Sequence, residues 1–207
     1  MFRREFLAVL PAALLTLPGL PALAQGAGDI DTSGVAEMVL GAADAPLEVI
    51  EYASFTCPHC ASFHKNVFKE LKADYVDTGK VRFVYREVYF DKFGLWAGMV
   101  ARCGGEARYF GIVDMLYDRQ REWTKGEDAT QIVQNLRKIG KLAGVTDDEL
   151  DACLSDNEKA RAMVARYQEN AAEHDINSTP SFVIDGQKYS NMAYEQFRAI
   201  LYEKLGS

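Results

Sequence analysis

Apolar positions along the chain alternate between a two-residue period and a three-to-four-residue period, and these switches divide it into elements. Leu47 to Phe55 is a β-prone run bounded by Pro46 and Thr56, which predicts a strand. From Cys57 the period becomes helical: Cys60, Phe63, Val67, Leu71 and Tyr75 fall three or four apart on one face, and Gly79 ends the run. Val81 to Val88 sets Val, Phe and Tyr against Arg and predicts a second strand, while Glu37 to Leu40 reads as a short edge strand. Strand, helix and strand in this order form a βαβ unit, whose two strands run parallel.

Residues 92–174 carry no strand pattern. Helical spacing recurs in Trp96/Val100, Tyr109/Ile112/Val113/Leu116, Ile132/Leu136/Ile139 and Met163/Tyr167, with breaks expected at Gly104-Gly105 and Gly144. The β pattern returns after Pro180 as Ser181 to Ile184, then Asp185-Gly186, then Gln187 to Tyr189. An Asp-Gly pair between two β-prone runs is a strong hairpin signal. A last amphipathic helix presents Tyr194, Phe197, Ile200, Leu201 and Leu205. The expectation is an α/β fold with a βαβ…ββα core. One domain covers 37–207, with an all-helical insertion over 92–174 and a flexible lead-in at 25–36.

The first 24 residues stand outside that fold. Arg3 and Arg4 precede an uncharged run from Phe6 to Ala24 that ends in Ala22-Leu23-Ala24, the pattern of a secretory signal peptide with Gln25 as the new N-terminus. The run is long enough to be an uncleaved anchor instead, but Pro18, Gly19 and Pro21 interrupt its helix before the cut. Arg3-Arg4 also resembles a twin-arginine signal, so the Sec and twin-arginine routes both stay open. Removing residues 1–24 leaves 183 residues with a net charge of −8, against −7 for the whole chain. An acidic, exported chain without clustered Lys and Arg gives no footprint for nucleic acid. Export also changes how four cysteines are read, because disulfides persist outside the cytoplasm.

Cys57-Pro58-His59-Cys60 sits where strand gives way to helix. Residues three apart on a helix have Cβ atoms about 5–6 Å apart, close to what a disulfide bridges. Cys57 falls at the helix start, where free N–H groups and the macrodipole favour an anion, so its thiol is expected to ionise readily. Pro58 occupies the first helical position, where its missing N–H costs nothing. His59 adds a donor or a positive charge beside the sulfur. Cys60 begins the apolar face and is the expected buried partner.

These residues, with the Phe55-Thr56 lead-in, the placement of the helical insertion and Thr179-Pro180, resemble the DsbA-like thiol–disulfide oxidoreductases of the thioredoxin superfamily from about Leu40 to Leu205. The resemblance implies a thioredoxin-like fold, with Cys57 as exposed nucleophile and leaving group and Cys60 as resolving partner. It gives His59 the role of setting how oxidising the pair is. It implies no cofactor and no metal. Its partners would be reduced, unfolded or partly folded exported proteins in the periplasm and a quinone-linked membrane reoxidase of the DsbB type. Glu51 is the only polar member of the strand face Leu47, Val49, Glu51, Ala53, Phe55, and it matches the acid this family places six residues before its first active cysteine. A proton relay to Cys60 is one role for it, and an ion pair with Arg86 is the other. Pro180 matches the family's cis proline, which faces the cysteine pair and holds open an edge for an extended peptide. Threonine rather than valine precedes it. Thr179 therefore departs from the oxidase branch toward isomerases and other relatives, and a hydroxyl at this place is expected to hydrogen-bond the Cys57 sulfur.

Cys103 and Cys153 lie in the helical block. An even cysteine count in an exported chain favours a structural bridge between them, against two buried thiols acting as small hydrophobes. His64 and His174 are given no special role. The competing functions are an isomerase, a specialised reductase and a metal-binding carrier. Dedicated isomerases of the resembled superfamily carry an N-terminal dimerisation domain, and only about a dozen residues separate the leader from the core here, which sets back the isomerase and leaves a specialised reductase open. The carrier is set back because a structural zinc site wants four ligands and only one C-x-x-C cluster exists.

Overall fold

The structure, a computed structural model, describes residues 30–206. The expected leader, its expected cut before Gln25 and the first part of the expected lead-in lie outside the described residues. Five strands, β1 (Met38–Leu40), β2 (Leu47–Ala53), β3 (Val81–Glu87), β4 (Ser181–Ile184) and β5 (Gln187–Ser190), form one sheet in the order β1-β3-β2-β4-β5. β2 and β3 are parallel, with Glu51 opposite Tyr85, and every other pairing is antiparallel. The βαβ…ββα core expected from the element order is present, and the fold is thioredoxin-like, as the resemblance implied.

The predicted single helix after Cys57 is a composite. α1 (Pro58–Phe63) passes into a π-helical turn, His64–Phe68, then α2 (Lys69–Leu71), then a second π-helical turn, Lys72–Val76. Each π turn carries an adjacent apolar pair, Val67-Phe68 and Tyr75-Val76, and all four side chains are buried. The wider turn accounts for this, because the extra residue shifts the apolar face by one position. Phe63, Phe182 and α9 (Tyr194–Lys204) close this face of the sheet, where Phe182 lies between Phe63 and Phe197 at ring-centroid distances of 4.6 and 5.0 Å.

Six helices fill the insertion: α3 (Lys92–Cys103), α4 (Glu106–Asp118), α5 (Gln120–Trp123), α6 (Ala129–Leu142), α7 (Asp147–Ser155) and α8 (Asn157–Glu173). Gly104 and Gly105 make the tight corner between α3 and α4. A Cβ at Gly104 would meet Ile112 Cδ1 at 2.7 Å, and Gly105 has a φ of 69°. The second face of the sheet buries Ile50, Tyr52, Val84, Val88 and Val183 against Tyr167 and Ile176. Cover on both faces explains why β2 reads as a nearly continuous apolar run rather than a clean alternation.

Two polar links tie the insertion to the core. Arg102 on α3 donates to both carboxylate oxygens of buried Glu87 at 2.7 and 2.6 Å, and Tyr109 donates to the same carboxylate at 2.8 Å. Arg102 also donates to the Ala36 carbonyl, while Thr32 is buried, donates to Glu169 on α8 and receives a hydrogen bond from Arg166 at its carbonyl. The end of the lead-in is therefore strapped across α8 and not free as its composition suggested, because its carbonyls satisfy two arginines. β5 forms one margin of the sheet, with Gln187, Lys188 and Ser190 exposed. No described helix is long and apolar enough to cross a membrane.

Candidate active site

Pairing ends at Ala53, and the chain turns over Ser54–Cys57, where the Cys57 N–H donates to the Ser54 carbonyl at 3.1 Å. Cys57 is extended, at φ −82° and ψ 118°, and is the N-cap of α1, with Pro58 in the first turn behind it. No side chain caps this helix end, which leaves its N–H groups for the sulfur. The Cys57 thiol is held at about 5. A hydrogen bond from the Cys60 thiol is the largest cause, joined by the Thr179 side chain and the backbone N–H groups of Cys60 and His59 against the cost of partial burial. Cys60 is fully buried and pushed far above the ordinary thiol range by that burial, by the hydrogen bond it gives Cys57 and by the charges of Glu51 and Cys57. Both sulfurs are free thiols. Pro58 and His59 are exposed on the outer side of the turn.

The Thr179-Pro180 peptide is cis and faces Cys57: the neutral Cys57 thiol donates to the Thr179 carbonyl at 3.5 Å. Pro180 is buried at the entry to β4, so Thr179 is the residue presented to the sulfur.

Glu51 projects toward the same centre from β2. It is 2% exposed, and burial, reinforced by the charge of Cys57, pushes its carboxyl up to about 8. The ion pair with Arg86 does not form. Arg86 follows Tyr85 on β3, so its side chain lies on the other face of the sheet, where it binds Glu37, Glu173 and the Tyr52 hydroxyl. Beside Glu51 stand Tyr85 and Tyr117, buried hydroxyls 2.5 Å apart.

Cys103 and Cys153 are bonded to each other, with Cα atoms 5.8 Å apart, and link α3 to α7. They belong to the insertion and not to the site. His64 is buried one turn beyond Cys60, where it stacks on Phe68 and meets Asp114 at 2.6 Å, and His174 meets the Tyr52 hydroxyl at 2.6 Å. No cluster of three or more metal-ligating side chains occurs among the described residues.

Two supporting residues carry no sequence signal. Gln120 on α5 is buried and donates its amide to the carbonyls of Phe55 and Cys57, at 2.8 and 2.9 Å. Asp91 caps α3 and also accepts from the Thr56 hydroxyl at 2.7 Å, which fixes the approach to Cys57. A polar residue in a four-residue helix looks like any surface position, and an acid beside a strand end looks like a turn.

A family model described as Thioredoxin matches residues 33–203. The crystal structure of Wolbachia pipientis alpha-DsbA1 superposes at a TM-score of 0.77, with 26% identity, over 83% of this chain and 92% of that one. This chain is a DsbA-like member of the thioredoxin superfamily. A Rickettsia bellii protein named as a candidate protein-disulfide oxidoreductase is 35% identical over 80% of this chain, which spans only 63% of that protein. Disulfide bond formation protein D of Bacillus subtilis is 24% identical over 81% of this chain and 76% of its own length. In this DsbA-like frame the cysteine pair, the acid behind it and the cis proline in front of it occupy one small volume.

Proposed function

We propose that the protein is a periplasmic dithiol oxidase that introduces disulfides into reduced, unfolded exported proteins. The observation that carries this reading is the placement of the two cysteines: Cys57 is half-buried at the uncapped start of α1, and Cys60 is fully buried behind it, so the Cys57 thiol is lowered to about 5 while burial keeps Cys60 protonated. A stabilised thiolate favours the dithiol form of the enzyme, which makes its disulfide a strong oxidant.

In the reaction a substrate thiolate attacks Cys57 Sγ of the Cys57–Cys60 disulfide. The S–S bond breaks, a mixed disulfide forms, and Cys60 leaves with the electron pair and takes a proton. Glu51 supplies that proton, being neutral through most of the pH range below about 8. A second substrate thiolate then attacks the substrate sulfur of the mixed disulfide and releases Cys57 as a thiolate. The substrate has lost two electrons and the enzyme has gained them. A quinone-linked membrane partner of the DsbB type accepts those electrons and restores the disulfide. Thr179 and Pro180 offer the edge beside Cys57 on which an extended substrate segment pairs, and His59 on the exposed rim tunes the potential.

The deciding experiment is the equilibrium of the Cys57–Cys60 pair against glutathione, with oxidation of a reduced, unfolded substrate as the functional readout. A potential toward the oxidising end, around −120 mV, is expected, and Cys57→Ser abolishes turnover. A potential near about −270 mV would overturn the oxidase reading in favour of a reductase. Thr179 is the feature that favours that second reading.

A further inference from the structure

We infer that Gln120 is a positioning residue for the redox centre: by clamping the carbonyls of Phe55 and Cys57 from the helical insertion, it holds the Cys57 sulfur over the start of α1. The inference rests on Cys57 being the redox nucleophile.

Both hydrogen bonds come from one amide nitrogen and fall on either side of Thr56, so the segment 55–57 is gripped as a unit. The Cys57 carbonyl is also the acceptor of the first helical hydrogen bond of α1, from the Ala61 N–H at 3.2 Å. The orientation of this peptide sets where the sulfur sits relative to the N–H groups of His59 and Cys60. Side-chain caps usually fix a helix start, but this one has none, and the amide from α5 does the fixing from outside.

Electrostatics point the same way as geometry. A carbonyl oxygen carries partial negative charge, and those of Cys57 and of Phe55 two residues before it, left unpaired, would disfavour a thiolate in this segment. A buried N–H₂ group bound to both offsets that field, more strongly than it would in water. Gln120 is itself held firmly. It lies in α5, where Trp123 is buried with its indole N–H on the Leu116 carbonyl at 2.8 Å, and the Gln120 carbonyl accepts from the Thr124 hydroxyl at 2.6 Å. The helical insertion thus reaches the redox centre through one side chain.

Two variants of the full chain test this, Gln120→Met and Gln120→Glu, with Cys57 titrated by thiolate absorbance and its redox equilibrium read against glutathione. Methionine keeps the volume and removes both donors. Glutamate keeps the shape and sets an acid against two carbonyls. In both, the titration midpoint of Cys57 rises by about one unit, a roughly tenfold loss of thiolate at a given pH below it, and the pair becomes less oxidising. A merely structural role would lower the melting temperature and leave the midpoint and the equilibrium of the folded protein unchanged, and that result overturns the inference. Should Gln120→Met not fold, Gln120→Glu decides by the same two readouts. A wild-type protein whose Cys57 titrates like an ordinary thiol would instead remove the oxidase reading itself.

Discussion

Glu51 lies opposite Tyr85 across the parallel β2–β3 pair, and Tyr85 shares its hydroxyl with Tyr117 and with no cation. Burial drives both phenols well above their usual range, so they stay neutral at physiological pH, and the charge of Cys57 only reinforces the protonated form of the acid. Glu51 is therefore protonated below about pH 8 in the folded protein, the state that the proposed relay to Cys60 requires.

Replacing Glu51 with Gln should separate proton transfer from stability. The rate of Cys60 release falls, on the order of 100-fold at the low end of general acid–base contributions. Stability moves the other way. Glu51 titrates at about 8 in the fold against an ordinary 4.5, so wild type loses stability as pH rises from 4.5 toward 8. The variant lacks that loss, and its advantage in urea unfolding is absent below pH 4.5 and reaches a few kcal/mol near pH 8, at ~1.4 kcal/mol per pKa unit.

The redox state should have a pH-dependent thermal signature. Cys57 is depressed to about 5 from 9.0, so its contribution to the reduced form is complete above pH 9 and is lost as pH falls toward 5. The oxidised form has no such thiolate. Scanning calorimetry of both forms should find the reduced protein melting higher at pH 7, with the gap narrowing on acidification to pH 4.5. A constant gap would contradict the assignment of the thiolate to Cys57.

The Cys103–Cys153 link spans a sequence separation of 50 and staples α3 to α7. The double variant Cys103→Ala/Cys153→Ala should be destabilised by roughly 2–4 kcal/mol in urea unfolding, as expected for removing a closed loop of that size. Oxidation of a reduced substrate, measured well below the melting range, should persist.

Arg102 and Glu87 form a buried, bidentate pair. Arg102→Met strands the Glu87 carboxylate and should cost about 3–5 kcal/mol, whereas Arg102→Met combined with Glu87→Gln recovers part of that loss. Chemical denaturation of the two variants distinguishes a stranded charge from lost packing.

Much of this architecture is legible in the chain itself, for identifiable reasons. β3 and β4 are marked by β-branched and aromatic residues in runs, and the hairpin by Asp185-Gly186, both positions having positive φ. Cys57 at a helix start follows from the helical spacing that begins there and from Pro58 at the first helical position. Other features leave no local trace. The two π turns preserve three-to-four spacing, so a plain α-helix fits the same residues. Which way Glu51 looks depends on strand register: Arg86 is a chain neighbour of Tyr85, yet the pleat sends it to the opposite face. Gln120 reaches Cys57 across a long stretch of sequence, and only tertiary packing brings the amide to the carbonyls. The cis state of Thr179-Pro180 is expected from family likeness and not from composition.

Among the described residues, β5 ends the sheet with main-chain groups that no neighbouring strand occupies. A rim of that kind invites a second polypeptide to zip onto it, which is hazardous for a molecule whose proposed clients are unfolded chains. Four residues give too little length for a stable match, and the ammonium of Lys188, anchored on Asp175 at 3.0 Å, adds a charge that a stacked copy would have to bury. Under the proposed function, client capture is thereby steered away from this flank and left to the edge at Thr179-Pro180 beside the sulfur.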